Sequence, residues 1–127
     1  MNIKFQDIEK ISNKSIDTQN LLDTLPSLIK LQQDKSKLYG RSYCNYGNLG
    51  IFFNLARKWD RVENIMQSVM KNGEDNLFHN IKGNSTATET FLDTVSDLAV
   101  YSMLWVGYIK ENYPEQWEQF LKSNKLD

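Results

Sequence analysis

The sequence predicts an all-α protein, a helical bundle of about four to five helices, and three observations carry that expectation. Between Leu49 and Lys71, the residues Leu55, Trp59, Val62, Met66 and Val69 recur at alternating steps of four and three, the spacing of a packing seam along one helix face. The stretch LAVYSMLWVGYI, Leu98 to Ile109, is apolar on nearly every helical face, as in a helix surrounded by others. Helix start and stop residues punctuate the chain, whereas no segment alternates apolar and polar residues as a half-buried strand does. With 127 residues, 40% of them hydrophobic, the chain can build one real core. It is read as a single domain over 1–127, with 1–22 as a separate arm or short helix.

Taken in order, Ile3, Phe5, Ile8 and Ile11 are spaced irregularly, which gives the arm or short helix. Thr24-Leu25-Pro26 predicts a helix start, since proline is tolerated in a first turn, and Tyr39-Gly40 predicts its end. The segment YGRSYCNYGNLG is rich in glycine and tyrosine and reads as a loop. It either lines a site or is a tight connection whose tyrosines cover the core. A long helix from about Leu49 to Lys71 follows and stops at Asn72-Gly73. Glu74 to Ser85 is a polar link with a turn of helix at Asn76–His79. Thr86-Ala87-Thr88-Glu89 has the form of a capping box, which starts the central helix near Ala87. Tyr113-Pro114 breaks that helix, and PEQWEQFLKSN forms a last one with Pro114 at its first position. Trp117, Phe120 and Leu121 make its apolar stripe.

Composition excludes several function classes. A net charge of −1 without a basic block argues against a duplex nucleic acid partner. The single cysteine, Cys44, forms no internal disulfide and suits a reducing cytoplasm. One histidine, His79, rules out a His-rich zinc site or a Cys/His finger. The N-terminal MNIKFQDIEKISNK has no apolar core of a signal peptide. The apolar run of the central helix is shorter than the roughly 20 residues that a bilayer span needs, so no membrane is expected.

Chemistry is expected on two facing helices. Glu89, Asp93 and Asp97 recur every four residues and so stack in one row. Glu89 serves the capping box better than a ligand set. Asp97 abuts the apolar run, and a carboxylate there wants a cation, either a neighbouring base or a metal. On the long helix, ARKWDRVEN sets Asp60 and Glu63 one turn apart, with Lys58 and Arg61 on the other flank. Asp60, Glu63, Asp93 and Asp97 together would offer hard oxygen ligands to magnesium, the remaining positions going to water and phosphate. Lys58, Arg61, Arg57 and Arg41 would hold phosphates. The alternative is plain pairing of Lys58 and Arg61 with Asp93 and Asp97 between helices.

The ordered set YGRS, ARKWDRVENI and ETFLDTVSDLAVYSML resembles the phage and bacterial family called nucleotide modification associated domain, first type. The match runs from about Lys35 to Leu104, and Asp93-x-x-x-Asp97-Leu98-Ala99-x-Tyr101 is its most specific part. That family is similar to MazG and the all-α nucleoside triphosphate pyrophosphohydrolases, where ExxE on one helix and ExxD on the next hold magnesium. The resemblance implies a helical bundle, usually oligomeric, with a nucleotide in its cleft. This chain departs from the hydrolase pattern: Asp60-x-x-Glu63 stands for ExxE, Asp93-x-x-x-Asp97 replaces ExxD, and Lys58 and Arg61 stand where the enzymes are acidic.

Three functions follow as expectations. The first is a magnesium-dependent nucleoside triphosphate pyrophosphohydrolase, with Tyr39, Tyr43, Tyr46 or Tyr101 against the base. The second is a non-catalytic binder that sequesters a nucleotide or nucleotide-derived signal, as a phage protein blunting host defence would. The third is a helical interaction module without ligand. A homo-oligomer is expected, with Trp105, Tyr108 and Trp117 as interface anchors.

Overall fold

A computed structural model describes residues 3–74, 77–78 and 91–127. Among the described residues five α-helices follow in order: α1 (Phe5–Glu9), α2 (Ile16–Tyr39), α3 (Gly47–Asn72), α4 (Phe91–Asn112) and α5 (Pro114–Ser123), with a 3₁₀ turn at Ser42–Cys44 before α3. No strand occurs among the described residues, so the fold is all-α as the sequence predicts. Of the turn expected at Asn76–His79 only Leu77 and Phe78 are described, in a turn with the Leu77 N–H on the Glu74 carbonyl at 2.9 Å; the capping box Thr86–Glu89 and the start of the central helix near Ala87 lie outside the described residues. The chain divides into two compact units, Met1–Gly40 with Val106–Asp127, and Arg41–Trp105.

In the first unit, the backbone N–H of Lys4 donates to Asp7 Oδ2 at 2.8 Å and starts α1. Lys14 Nζ donates to the carbonyls of Glu9 and Ile11, closing the turn that follows. The Ser15 hydroxyl then accepts from the N–H of Thr18 at 3.0 Å, and α2 begins there. This corrects the expected start at Thr24: Pro26 lies inside the helix. An interior proline loses the bond its missing N–H would make and crowds the carbonyl four residues back, at a cost of about 3 kcal/mol. Here a side-chain cap and a full run of helix-compatible residues precede it, so the helix forms on both sides. Gly40, at φ 57°, closes α2 through its N–H to the Ser36 carbonyl, as Tyr39-Gly40 predicts. Pro114 takes the first turn of α5, and the Trp117 and Phe120 rings stack at 5.4 Å. Trp117 and Leu121 are half-buried, while Phe120 is exposed.

In the second unit, α3 begins after Tyr46. A Cβ at Gly50 would lie 2.8 Å from Tyr46 Cβ, so only glycine admits this close approach. Gly73 ends α3 at φ 92° and ψ 159°, a region open to glycine, with its N–H on the Val69 carbonyl at 2.7 Å. Along α3 Ile51 and Val62 are buried, and Leu55, Lys58, Met66 and Val69 are half-buried, as are Asn54, Ala56, Ile65 and Ser68. The predicted seam is met at every position but one. Trp59 is 54% exposed and Lys58 takes the inward place beside it. Both positions fit a helical period; Lys58 turns inward because a carboxylate waits there.

The same pairing sets the rotation of α4. Thr94 is fully buried, with Asp97, Leu98, Tyr101 and Trp105 half-buried. Sequence pattern alone sets Leu92, Val95, Ala99 and Met103 against Leu55, Trp59, Val62 and Met66; in the structure Leu92, Val95 and Met103 fall in the exposed class, and Ala99 is half-buried. Turning Asp97 toward Lys58 rotates these apolar residues to the side.

Two substitutions test this unit. Ile51→Ala, at a position with no exposure, is expected to cost about 2–5 kcal/mol in urea unfolding. Gly73→Ala is expected to cost about 1–3 kcal/mol, because alanine cannot hold this backbone conformation without strain. A loss near zero for either would contradict the seam or the cap.

Candidate functional site

Helix α4 meets α3 through two side-chain contacts that fix its direction. Lys58 Nζ lies 3.0 Å from Asp97 Oδ2, and Trp105 Nε1 donates to Asn48 Oδ1 at 2.9 Å. Residue numbers rise on one helix as they fall on the other, so the two run antiparallel.

Each residue advances about 100° around a helix, which gives each helix an inward line and two flanks. On α3 the inward line is Ile51, Lys58 and Val62; one flank holds Asn54, Arg57 and Arg61, the other Phe52 and Trp59, while Leu49 and Asp60 share the side that faces away. On α4 the inward line is Thr94, Leu98 and Tyr101; Asp93 lies on one flank, with Asp97 at its edge, and Val95 and Ala99 on the other, while Leu92 faces away. In antiparallel right-handed helices, flanks reached by the same sense of rotation lie on the same side of the pair. Arg57, Arg61 and Asp93 therefore share a charged side, with the Lys58–Asp97 pair beneath it. The apolar flanks share the opposite side.

The ion pair is sheltered, with side chains only 16% and 13% exposed. An ion pair in such a place is strong by Coulomb attraction and costly to half-remove, because the remaining charge is left poorly solvated. Thr94, fully buried, sits one turn before Asp97 on the inward side of α4.

The predicted site residues are thus divided. Lys58 and Asp97 are brought together, and Arg57, Arg61 and Asp93 lie on their side. Arg57 also donates to Asn54 Oδ1 at 3.4 Å, one turn back on α3. Asp60 points away from α4. Glu63 lies toward the apolar flank, where its Oε1 accepts from Trp59 Nε1 at 2.9 Å. Asp60 and Glu63 are accordingly not brought to Asp93 and Asp97, and among the described residues no group of three or more His, Cys, Asp or Glu is arranged to hold a metal ion. Arg41 precedes the 3₁₀ turn and its carbonyl accepts from the N–H of Cys44 at 3.2 Å. Tyr43 is half-buried in that turn, and Tyr46 is highly exposed at the start of α3. Tyr101 is half-buried on the inward line of α4, and Tyr39 is exposed at the end of α2.

Three features escape the sequence reading. The Asn48–Trp105 bond joins residues far apart in the chain and has no local signal. The Trp59–Glu63 bond has one, since a tryptophan N–H and a carboxylate stand four apart on a helix. Buried Thr94 has one too, three residues before Asp97.

Comparison with known proteins relates the chain to phage. Over 123 residues it is 28% identical to the Gene 30 protein of Bacillus phage SP01, a match covering 90% of this chain and 55% of that protein. The chain thus spans about half the length of this relative. No family model matches, and no solved structure matches. Among the described residues no helix is long and apolar enough to cross a membrane.

The ion pair makes a sharp stability prediction. Asp97→Leu or Lys58→Met alone is expected to cost about 3 kcal/mol, while the double substitution recovers most of that loss. Urea denaturation of the four proteins measures it, and additive single losses would show that the two groups do not depend on each other.

Proposed function

We propose that this chain is a phage-type nucleotide-handling protein that binds the phosphates of a nucleotide, or of a nucleotide-derived signal, without cleaving them. The observation that carries this reading is the sheltered Lys58–Asp97 pair at 3.0 Å. In a magnesium hydrolase Asp97 would be spent on the metal; here a lysine balances it. Arg57 and Arg61 stand on the same side of the helix pair, and arginine suits phosphate because its planar fork matches two oxygens at once. The resemblance of YGRS, ARKWDRVENI and ETFLDTVSDLAVYSML to the nucleotide modification associated domain supports a nucleotide as ligand, with a tyrosine of the YGRSYCNYGNLG segment or Tyr101 against its base. Similarity to a phage protein suits a role in which the chain withdraws a nucleotide from its host's use.

The test is calorimetry with nucleoside mono- and triphosphates, with and without magnesium, followed by a pyrophosphate-release assay. Binding is expected to persist without magnesium, and no pyrophosphate should be released. Arg61→Ala is expected to lose about 1.5–3 kcal/mol of affinity, the worth of a hydrogen bond to a charged group. Magnesium-dependent pyrophosphate release, abolished by Asp97→Asn, would instead assign Asp60, Glu63, Asp93 and Asp97 to a metal. No heat with any nucleotide would leave the helical interaction module as the reading.

A further inference from the structure

The charged side of the α3–α4 pair carries little net charge. Lys58 and Asp97 balance each other at 3.0 Å, with both side chains mostly covered. Arg57 and Arg61 add positive charges one turn apart on α3, and Asp93 adds a negative one from α4. Asn54, a turn before Arg57, contributes an amide oxygen that accepts from Arg57 at 3.4 Å, and no charge. Past Asp97 the same side of α4 continues through Val100, which is apolar. Among the described residues of the pair within the second unit, a single positive charge is left over on this side.

Asp93 also lies at the level of Arg61. The Lys58–Asp97 contact sets the register of the antiparallel pair. Four residues from Asp97 back to Asp93 cover about the same 6 Å of axis as the step from Lys58 on to Arg61 and Val62. Packed helices lie about 8–10 Å apart, and Arg61 and Asp93 are both exposed. A phosphate on Arg61 therefore has a carboxylate across from it. For a highly charged anion that carboxylate is misplaced. A phosphate monoester carries about −1.5 to −2 at pH 7, and each inner phosphate of a triphosphate adds a further charge. A phosphodiester has no second ionisation and holds one charge per phosphate.

Resting on the nucleotide-binding reading above, we propose that the ligand of this side is a phosphodiester nucleotide and that Asp93 selects it over a nucleoside triphosphate. One diester charge matches the one positive charge left over on this side. Arg57 and Arg61 offer planar forks to its phosphate oxygens. Asp93 accepts from a sugar hydroxyl of the same ligand, which is a donor and carries no charge. A triphosphate would leave most of its charge unbalanced and set it against Asp93.

Calorimetry of the whole chain without magnesium tests this. The probes are cyclic ribonucleotides and dinucleoside monophosphates of the four bases, with the matching nucleoside triphosphates. At least one diester is expected to bind roughly tenfold or more tightly than the triphosphate of the same base, the scale of repulsion between like charges at this range near a surface. Asp93→Asn keeps the size of the side chain and removes its charge. It is expected to erase most of that factor by strengthening the triphosphate, whereas Asp93→Glu keeps the preference. A triphosphate that binds the unaltered chain as tightly as every diester overturns the proposal and leaves the nucleotide reading standing. So does a preference that a folded Asp93→Asn chain retains in full. If the Asn variant does not fold, the comparison on the unaltered chain still decides. No heat with any probe overturns the nucleotide reading itself, and this proposal with it.

Discussion

Lys58 and Asp97 have to find each other once α3 and α4 pack, and the geometry of the second unit follows from that need. A carboxylate at the edge of an apolar run loses water on folding and gains little from an apolar neighbour. With the Lys58 ammonium at 3.0 Å the loss is offset, and both side chains stay mostly covered. The rotation of each helix about its axis is then no longer free. Lys58 turns inward and Trp59 outward; Thr94 and Asp97 turn inward and Leu92 outward. The Asn48–Trp105 bond fixes the other end of the same antiparallel pair.

That rotation divides the helix pair into two unlike sides. One gathers Arg57, Arg61 and Asp93 above the ion pair, which is the arrangement on which the phosphate-binding proposal rests. The other carries Phe52, Trp59 and Val95, all in the exposed class. A helix packed only on one face would give a single amphipathic division. Here the inward line is occupied by a salt bridge and a threonine as well as by isoleucine and valine. Part of the apolar content of both helices is thereby displaced to the flank.

Asp60 and Glu63 illustrate how such a rotation redirects chemistry. On the sequence they stand one turn apart next to a packing seam, well placed to complete a carboxylate set with Asp93 and Asp97. Moving the seam from Trp59 to Lys58 carries Asp60 to the far side of α3 and Glu63 toward Trp59, whose indole N–H it accepts. Leu55, Val62, Met66 and Val69 keep their sheltered places, so the face turns by only a fraction of the step of about 100° between neighbouring residues. Ligand sets proposed across two helices are sensitive even to a turn of that size.

The all-α class, the extent of α3, the glycine stops at Gly40 and Gly73, and Pro114 opening α5 were legible from residues alone, because each depends on local backbone chemistry. So were the seam positions Leu55, Val62, Met66 and Val69, and the need of Asp97 for a cation. The start of α2 was not: Ser15 and Thr24 both offer a cap, and Pro26 suits a first turn better than a helix interior. The choice between Lys58 and Trp59 was not either, since the helical period admits both. Only the packing of α4 against α3 decides it, because the preference lies in a partner, Asp97, that is remote in the chain. Local propensity sets where helices begin and end. Which side each one shows to the others is set by the interactions they make once they meet.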